Sequence, residues 1–444
     1  MIILGVNGWY TRSHDSSACL VKNGKILAMA EEERFIRQKY AVEKLPLNAI
    51  GFCLNTAGLK PDDIDIIAFG WDYRKKYELR DINFDYTYEA ILDIVFPHNI
   101  FKYKKKPKLV IVPHHLAHAA STFFTSGLKE AAILIVDGQG EDESTTIAHG
   151  KGNKISILKS FPIKDSLGYF YESINKYIGF HYLDSGKTMG LAPYGKANIN
   201  FRNIKINSSG YAVNLKEELR YDSSHLNEQE ALVAIWHKEL KKYVKFPNKV
   251  EYVFDKNSNK LEAKFDISQG YKDLAASAQA TLETTLIHLV KAAIQMTGIR
   301  DVCLSGGVAL NCVANGKIIQ NTPVNNLFIF PSANDAGVSA GAALYAAALY
   351  DKDAKFTKMT HPYFGPKYTN KEIEKILKSR RIRYTKPKDI CKTAAKLLAE
   401  NKVIGWFQGR MEVGPRALGN RSILANPLIK SNWKRVNIIK GREL

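Results

Sequence analysis

The sequence lacks long apolar segments and paired cysteines, and both absences narrow the class of protein. Its first residues, MIILGVNG, have no basic start before a long apolar run, and no later segment is long and apolar enough to span a bilayer. We therefore expect a soluble, cytoplasmic protein that does not bind membranes. The five cysteines are odd in number, scattered and without Cys-x-x-Cys spacing, which predicts reduced, packed thiols and argues against a disulfide framework or zinc ribbon.

Acidic residues are scarce relative to basic ones, with 44 Asp and Glu against 64 Lys and Arg and a formal net charge of +20. This charge favours anionic partners. The basic residues are spread out, as in KYKKKPK at 102–108 and KSRRIRYTKPK at 378–388, and they lack the interleaved aromatics of a single-strand binding platform. We therefore expect phosphorylated small molecules as ligands and do not expect sequence-specific nucleic-acid binding.

A histidine pair in a predicted helix is the first chemical feature of the chain. His114 and His118 are four residues apart and so share a helix face, and the strand ILIV that follows ends at Asp137. Asp335, in SANDAG, lies at a second strand-to-helix corner. Imidazole and carboxylate ligands together predict a metal site, whereas packing roles for the histidines and helix capping by Asp335 are the alternative.

The opening pattern of strands recurs later in the chain. Strands predicted at 1–7, 16–22 and 25–31, with a tight Asn-Gly hairpin, can be laid on the chain from Ile133, which places Asn7 opposite Asp137. Such a duplication is typical of the actin, hexokinase and Hsp70 class of phosphotransfer folds, in which strand-to-turn corners contact nucleotide phosphates. Asn7 and Gly138 are therefore candidate nucleotide contacts, and chance similarity between two hairpins is the alternative.

The chain is expected to form two domains. We expect an α/β domain over 1–355, with halves of about 1–130 and 131–355 and a polar region at 200–268 that forms an insertion or peripheral strands. A separate α/β domain is expected over 360–444, where composition changes. The aromatic stretch 71–106 is expected to be irregular.

Two glycine-containing segments of the first domain are candidate ligand contacts. DSGKTMGLAPYGK contains SGKT, but position 181 is His, so it is not a P-loop; a glycine-rich turn that includes Lys187 is expected to line a ligand. At Gly306 and Gly307 a strand enters a helix, so main-chain N–H groups would face a bound anion, and a simple β–α turn is the alternative.

The second domain carries three arginines in one glycine-broken segment, GRMEVGPRALGNRS. Guanidinium groups match phosphate and carboxylate oxygens bidentately, so Arg410, Arg416 and Arg421 predict an anion receptor. Bridging between domains is the alternative role. A Thr-x-x-Glu capping box, a strand RIRYT, a helix over 388–400 and a strand KVIGWFQ are expected before this segment.

The motifs together resemble the NodU/CmcH carbamoyltransferase family, which modifies antibiotics and nodulation factors. The resemblance covers nearly the whole chain and is carried by HDSSACLV, EEERFIRQK, HHLAHAAST, VDGQGE, DSGKTMGLAPYGK, LSGGVALNC, SANDAG and GRMEVGPRALGNRSI. It implies an N-terminal domain like that of tRNA threonylcarbamoyl transferases, joined to a YrdC-like domain. The implied reaction uses ATP and carbamoyl phosphate to form carbamoyl adenylate, then transfers the carbamoyl group to a hydroxyl of a sugar-like or secondary-metabolite acceptor.

The resemblance also implies roles for individual residues. It makes the two histidines, Asp137 and Asp335 ligands of a divalent metal, Fe(II) as a rule in the family, although Mn(II) or Zn(II) would suit the same donors. It makes Asn311, with the two glycines at 306–307, part of the corner that holds adenylate. His14 is then a candidate base for the acceptor hydroxyl, and Lys39 a second electrostatic contact.

One departure from the family concerns the end of the chain. The YrdC-like domain normally continues beyond the segment that resembles WKRVNIIKGREL, so we expect a partial domain at 360–444, from a fragment or from a split gene whose other polypeptide is a partner. The other expected partners are the small-molecule acceptor and a second copy in a homodimer. A tRNA threonylcarbamoyl transferase-like enzyme and a non-catalytic nucleotide- and metal-binding protein are the alternative functions.

Overall fold

The computed structural model describes residues 1–11, 13–80, 82–208, 210–217, 228–245, 248, 251–255, 260–264 and 267–440. The chain forms two compact units, Met1–Met359 and Thr360–Leu444. Among the described residues, no helix combines the length and apolar character needed to cross a bilayer. All five thiols are free, as predicted; three are buried and those of Cys312 and Cys391 are exposed.

The first half of the larger unit is a five-stranded sheet with flanking helices. Its strands are β1 (Ile2–Asn7), β2 (Ser17–Lys22), β3 (Lys25–Glu31), β4 (Ile66–Phe69) and β5 (Lys108–Ile111). Its helices are α1 (Glu33–Ile36), α2 (Leu47–Ala57), α3 (Tyr73–Glu78), α4 (Tyr88–Val95), α5 (His98–Phe101) and α6 (His114–Ser126). The prediction that 71–106 is irregular was wrong, because Asp72 and Thr87 cap the N-termini of α3 and α4.

The second half repeats this plan with additional elements. Its strands are β6 (Glu130–Val136), β7 (Glu143–Lys151), β8 (Lys154–Pro162), β9 (Ile204–Asn207), β10 (Gly210–Val213), β11 (Glu251–Asp255), β12 (Lys260–Lys264), β13 (Asp301–Ser305) and β14 (Asn326–Ile329). Its helices are α7 (Leu167–Ile178), α8 (Ser185–Leu191), α9 (Glu228–Leu240), α10 (Gln269–Thr297), α11 (Cys312–Asn321) and α12 (Val338–Tyr350).

The two sheets have the same strand order, which confirms the predicted duplication. The first runs β3-β2-β1-β4-β5 and the second β8-β7-β6-β13-β14, so three antiparallel strands are followed by two parallel ones in each. In the first hairpin, Asn23 and Gly24 have φ values of 52° and 77°, which a tight turn between twisted antiparallel strands requires. The repeat makes β1 the counterpart of β6, so Asn7 corresponds to Asp137.

Helices α6 and α12 cross between the two sheets, and each packs on the sheet of the opposite half. Helix α6 contacts β13 and β6, whereas α12 contacts β1 and β2. Small side chains let the two helices approach closely: a Cβ on Gly341 would lie 1.7 Å from the carbonyl oxygen of Ala117. The ends of the central strands and the N-termini of the crossing helices therefore meet at one place.

The region 200–268 contributes to the core, which corrects the prediction that it is peripheral. Trp236 of α9 is 1% exposed, and its ring lies 4.9 Å from that of Phe170 on α7. This region contains two antiparallel hairpins, β9–β10 and β11–β12, and strands were one of the two alternatives predicted for it. Part of 200–268 lies outside the described residues. Helix α9 packs against α7 and so covers one side of the second half.

The smaller unit is built from short elements. These are α13 (Asn370–Ser379), α14 (Ile390–Ala399), β15 (Ile404–Phe407), β16 (Arg421–Leu424) and α15 (Ser431–Ile439). The predicted capping box is present, since Thr369 accepts from Glu372 N–H and Glu372 accepts from Thr369 N–H. The predicted strand RIRYT is not formed, because Arg381 has a φ of 54° and its neighbours are exposed without a strand partner among the described residues.

Candidate metal centre

Four predicted ligands converge where the strands end and the crossing helices begin. One ligand atom from each of His114, His118, Asp137 and Asp335 lies within 4.8 Å of the other three, and all four residues are buried or nearly so. The histidines stand one turn apart at the start of α6, Asp137 follows β6, and Asp335 precedes α12. The duplicated fold therefore places side chains that are distant in sequence at one point.

Hydrogen bonds fix the orientation of both imidazoles. His114 Nδ1 lies 3.2 Å from the carbonyl oxygen of Gly70, and His118 Nδ1 lies 3.3 Å from Ser305 Oγ. The two Nε2 atoms therefore face each other at 3.1 Å. The carbonyl partner keeps a proton on Nδ1 of His114, so Nε2 is the ring atom that would bind an ion in the cluster.

The two oxygens of Asp137 have separate roles. Oδ1 accepts from the N–H groups of Gly138 at 2.8 Å and Gly307 at 3.0 Å. Oδ2 faces the histidines, 3.1 Å from His118 Nε2 and 3.4 Å from His114 Nε2. The N–H group of Gly307, predicted to face a bound anion, thus orients a carboxylate of the protein instead.

The turn at Gly306 needs glycine. This residue has a φ of 90°, and a Cβ there would lie 2.3 Å from the carbonyl oxygen of Val136. Any side chain would push β13 away from β6, and with it Gly307 away from Asp137. The two glycines predicted as an anion corner therefore set the geometry of the histidine–aspartate cluster.

The four side chains of the cluster strongly shift one another's pKa values. Burial disfavours the charged form of His114, but the carboxylates of Asp335 and Asp137 outweigh it and raise the pKa of His114 to about 10. The pKa of His118 is also raised, because hydrogen bonds to the two aspartates exceed the effect of burial. Burial acts to raise the pKa of each aspartate, yet the histidines lower both. Two carboxylates with low pKa values are well suited to hold positive charge.

The spacing of the donors fits a single ion. Ligand bonds of roughly 2.0–2.2 Å in octahedral or tetrahedral geometry separate neighbouring ligand atoms by roughly 2.8–3.6 Å. The observed separations are 3.1 Å between the two Nε2 atoms and 3.6 Å from Asp335 Oδ1 to each of them. A mixed nitrogen and oxygen set of this kind suits a divalent first-row metal.

His114 is supported by two residues, Glu141 and Trp71, whose roles were not predicted from the sequence. Glu141 accepts from the N–H groups of His114 at 3.0 Å and Asp72 at 2.9 Å, and burial raises the pKa of its carboxyl group. The Trp71 ring stacks on the imidazole with centroids 3.8 Å apart. Glu141 is the last residue of the motif DGQGE, so the sequence offered a signal for its role. No local sequence pattern indicated a role for Trp71.

His14 and Asn7 lie beside the cluster. His14 Nδ1 is 3.0 Å from Asp15 Oδ2, and burial lowers its pKa less than Asp335 and Asp15 raise it, to about 9. A bound cation would reduce this shift, since it would offset the aspartate charge. Asn7 donates to the carbonyl oxygen of Asp15 at 3.2 Å, and its buried Oδ1 has no partner among the described residues. An unpartnered buried acceptor at this point is consistent with the predicted contact to a ligand.

Lys39 and Lys187 meet on one carboxylate. Asp184 lies 2.6 Å from Lys39 Nζ and 3.2 Å from Lys187 Nζ, and it accepts from the hydroxyl of Tyr40 at 2.7 Å. Lys187 lies in α8 rather than in a glycine-rich turn, which corrects that prediction. Gly195 is still required, because a Cβ there would lie 2.0 Å from the carbonyl oxygen of Lys272 on α10.

Asn311 caps a helix. Its Oδ1 accepts from Ala314 N–H at 3.1 Å, and its amide exchanges hydrogen bonds of 2.9 and 3.1 Å with Gln279. The side chain predicted to hold adenylate is thus occupied in fixing the N-terminus of α11 against α10.

The three arginines belong to the smaller unit. Arg410 donates to the carbonyl oxygens of Phe364 and Gly365, Arg421 donates to four main-chain carbonyls, and Arg416 is exposed. The loop N–H groups of Leu418, Asn420 and Arg421 all donate to the buried Glu412, at 2.7–3.2 Å. The loop predicted as an anion receptor is therefore folded around an anion of its own chain, and the guanidinium groups of Arg410 and Arg421 brace the loop.

The fold and the cluster first define a class. Two matched sheets with crossing helices, and a buried polar centre at the strand ends, place the larger unit in the actin, hexokinase and Hsp70 class, as predicted. The solved structure of HypF from T. kodakarensis is 12% identical, with 80% of this chain and 49% of that one covered and a TM-score of 0.44. That low likeness adds nothing to what the strand order shows.

Sequence comparison then gives the family. The chain matches "Carbamoyltransferase N-terminus" over residues 2–88 and 73–344, and "Carbamoyltransferase C-terminus" over residues 395–444. It is 33% identical to the uncharacterized protein sll1178 of Synechocystis, with 99% of this chain and 74% of the relative covered. The chain belongs to the carbamoyltransferase family, a family of transferases, as the sequence motifs predicted.

Named relatives are nodulation proteins. NolNO of Sinorhizobium fredii is 33% identical, with 98% of this chain and 61% of the relative covered. NolO of Bradyrhizobium diazoefficiens is 34% identical, with 74% of this chain and 56% of the relative covered. The chain thus spans little more than half the length of these two relatives.

Proposed function

We propose that the chain is an ATP-dependent O-carbamoyltransferase with a divalent metal, Fe(II) foremost, at the histidine–aspartate cluster. The carbamoyl group would pass from carbamoyl phosphate through carbamoyl adenylate to a hydroxyl of a sugar-like or secondary-metabolite acceptor. The observation that carries the proposal is the buried cluster of two histidines and two aspartates at the strand ends, in a chain of the carbamoyltransferase family. The metal would supply positive charge for phosphate oxygens.

The protein groups around the cluster have separate tasks in this proposal. Glu141, Gly70 and Ser305 orient the histidines, and the N–H groups of Gly138 and Gly307 orient Asp137. All of these hydrogen bonds are made within the protein, so little reorganisation is needed when phosphate charge arrives.

His14 would act on the acceptor. Asp15 holds its Nδ1, which leaves Nε2 as the ring atom that takes the proton of the acceptor hydroxyl. The hydroxyl oxygen then bonds to the carbamoyl carbon as the bond from that carbon to AMP breaks. Lys39 and Lys187, now paired with Asp184, are the cations available to an anionic substrate that displaces this carboxylate.

Metal content tests the centre directly. We expect the purified chain, loaded with Fe(II) without oxygen and desalted, to retain about one ion, and His118→Ala and Asp335→Asn to retain less than about a tenth of that. The matched control is His115→Gln: His115 is buried in the same helix, but its Nδ1 lies 2.7 Å from Thr146 Oγ1 and outside the cluster. Elemental analysis that finds equal metal in all four proteins would overturn the assignment.

Substrate dependence tests the reaction. With ATP and carbamoyl phosphate both present, we expect release of pyrophosphate and a carbamoyl adenylate detectable by mass spectrometry; the phosphoryl group of carbamoyl phosphate leaves as inorganic phosphate. Omission of either substrate should abolish both signals. Pyrophosphate release that does not require carbamoyl phosphate would contradict the proposed reaction while leaving the metal centre untouched.

A further inference from the structure

The two histidines of the cluster are anchored to different sheets. His114 Nδ1 lies 3.2 Å from the carbonyl oxygen of Gly70, which directly follows β4 of the first sheet. His118 Nδ1 lies 3.3 Å from the Oγ atom of Ser305, which ends β13 of the second sheet. An ion bound by both imidazoles would therefore be attached to both halves of the larger unit.

The two aspartates differ in how closely they follow a strand. Asp137 comes directly after β6, and its N–H group donates to the carbonyl oxygen of Ser144 in β7 at 2.9 Å, so the second sheet fixes its backbone. Asp335 lies instead in the turn Asp335–Gly337, and the strand that precedes this turn, β14, already ends at Ile329. The position of Asp335 is therefore set by contacts between its turn and other elements.

Ser17 of β2 ties this turn to the first sheet. Its hydroxyl donates to the carbonyl oxygen of Ala336 at 2.7 Å, and its Oγ atom lies 2.8 Å from the Oγ atom of Ser339. The Ser339 hydroxyl donates to the same carbonyl oxygen at 3.1 Å. Both serines are fully buried, so neither hydroxyl can exchange its protein partner for water.

The contact between α12 and the first sheet is close. A Cβ on Gly5 of β1 would lie 1.8 Å from the carbonyl oxygen of Ser339, so the first turn of α12 rests directly on the strand backbone. Ala336 directly follows Asp335 in the chain, so a shift of the Ala336 carbonyl group moves the Asp335 carboxylate as well. Metal–ligand distances tolerate deviations of only about 0.2 Å, so a small shift is enough to weaken the site.

The neighbouring Ser16 shows what a purely structural serine looks like at this place. It is also fully buried, and its hydroxyl donates to the carbonyl oxygen of Lys44 at 2.5 Å. That bond holds a loop of the first half and reaches no residue of the turn that carries Asp335. The two serines therefore make the same kind of bond, but only that of Ser17 ends next to a metal ligand.

We propose that Ser17 is a positioning residue for the metal centre, which keeps the Asp335 carboxylate at ligand distance by fixing its turn to the first sheet. The inference rests on the proposed function, because the ion is part of that proposal. It adds that the ion joins the two halves, since the first sheet holds His114 and Asp335 and the second holds His118 and Asp137. Metal affinity then depends on a hydroxyl group that does not itself touch the ion.

The test compares Ser17→Ala with Ser16→Ala in the full chain, with the dissociation constant of Fe(II) measured without oxygen by competition with a chelator. We expect Ser17→Ala to weaken Fe(II) binding roughly tenfold or more, as is typical of residues that orient a metal ligand, and Ser16→Ala to stay within about twofold of the wild type. Urea unfolding without metal should show similar losses of stability in both variants, because each loses one buried hydroxyl bond. Ser339→Ala removes the other hydroxyl on the Ala336 carbonyl and should weaken Fe(II) binding several-fold.

The outcomes separate this inference from the proposed function. Weaker Fe(II) binding in Ser17→Ala than in Ser16→Ala supports the role of Ser17, even if no carbamoyl transfer is seen. Equal Fe(II) affinity in these two variants overturns it while leaving the metal centre of the wild type intact. A wild type that binds no Fe(II) overturns the metal centre and this inference together. If Ser17→Ala does not fold, Ser339→Ala decides the question, and wild-type affinity in that variant overturns the inference.

Discussion

At the residue scale, Glu172 of α7 is the buried acid with the clearest consequence for stability. Its side chain is 8% exposed, and the amide nitrogen of Gln229 on α9 donates to both carboxyl oxygens, at 2.7 and 2.8 Å. Burial raises the pKa of Glu172 to about 7, against a smaller lowering by Gln229, Lys176 and His14. The protonated form is therefore favoured in the folded state.

We predict that Glu172 makes the protein less stable as pH rises. The unfolded carboxyl group ionises near pH 4.5 and the folded one near pH 7, so between these values the folded state binds more protons and loses stability with rising pH. The loss is on the order of 3 kcal/mol, complete above about pH 7. Glu172→Gln keeps an acceptor for Gln229 and should remove this slope, which urea unfolding at pH 5, 6, 7 and 8 measures.

The control for this prediction is Glu230→Gln, since Glu230 is exposed on α9, the helix that carries Gln229. That variant should keep the wild-type slope. If Glu172→Gln is no more stable than the wild type at pH 8, burial is not what sets the protonation of Glu172.

The same scale shows which site residues the sequence could predict. His114 and His118 could be paired because helix pitch is local. Asp137 could be predicted because it directly follows a strand-like run, and Asp335 because it lies at a strand-to-helix corner. Glu172 could not be predicted, because its burial depends on α9, which is 56 residues away at its first residue, Glu228. Asn311 and Arg421 were predicted to bind a ligand, but their side chains hydrogen-bond to the protein itself. The sequence could not show this, because their partners, such as Gln279 and Pro366, are remote in sequence.

At the element scale, the backbones of α6 and α12 are in close contact where the two helices cross. We predict that Gly341→Ala destabilises the protein by about 3 kcal/mol or more, because its Cβ would lie 1.7 Å from the carbonyl oxygen of Ala117 and must push the helices apart. Because α6 carries both histidine ligands, metal retention should fall in the same variant. Urea unfolding and elemental analysis measure the two effects.

Gly316→Ala is the matched control for the helix crossing. Gly316 is also inside a helix, α11, but nothing lies within 4 Å of a Cβ placed there. This variant should be neutral or more stable by up to about 1 kcal/mol, because alanine favours helix. Equal effects of the two substitutions would mean that helix propensity, and not the contact with Ala117, sets the cost at Gly341.

Elements with a strong local pattern could be predicted from the sequence, and those that depend on tertiary partners could not. The Asn-Gly hairpin, the Thr369–Glu372 capping box and α14 all lie where the pattern placed them. The helices within 71–106 were missed because aromatic residues packed on Trp9 and Phe96 obscure their periodicity. Helix α8 was missed because its glycines suggest a turn. A Cβ on Gly190 would meet nothing within 4 Å, whereas Gly195, beyond the helix, must be glycine for close packing.

At the scale of the whole molecule, the two units differ in how much apolar surface they bury. Most core residues of the larger unit lie in two extensive clusters around the paired sheets. Among the described residues of the smaller unit, the buried apolar side chains are Pro366, Ala394, Met411 and Val413. Large apolar side chains there are exposed instead, such as Leu428 at 91% and Trp433 at 54%. Burial of apolar surface is the main source of stability, so the units should differ in stability as well.

We predict that amide hydrogens of the smaller unit exchange long before those of the larger one. Opening of a region with few buried apolar contacts costs little free energy, so β15, β16 and α14 should exchange within minutes, whereas β1, β6 and α12 should stay protected for hours. Hydrogen–deuterium exchange with mass spectrometry on peptides from both units measures this in one sample. Peptides of α10 serve as the internal control, because their helix is long and packed in the larger core. Equal protection of β15 and β6 would show that the smaller unit draws its stability from something other than its own buried side chains.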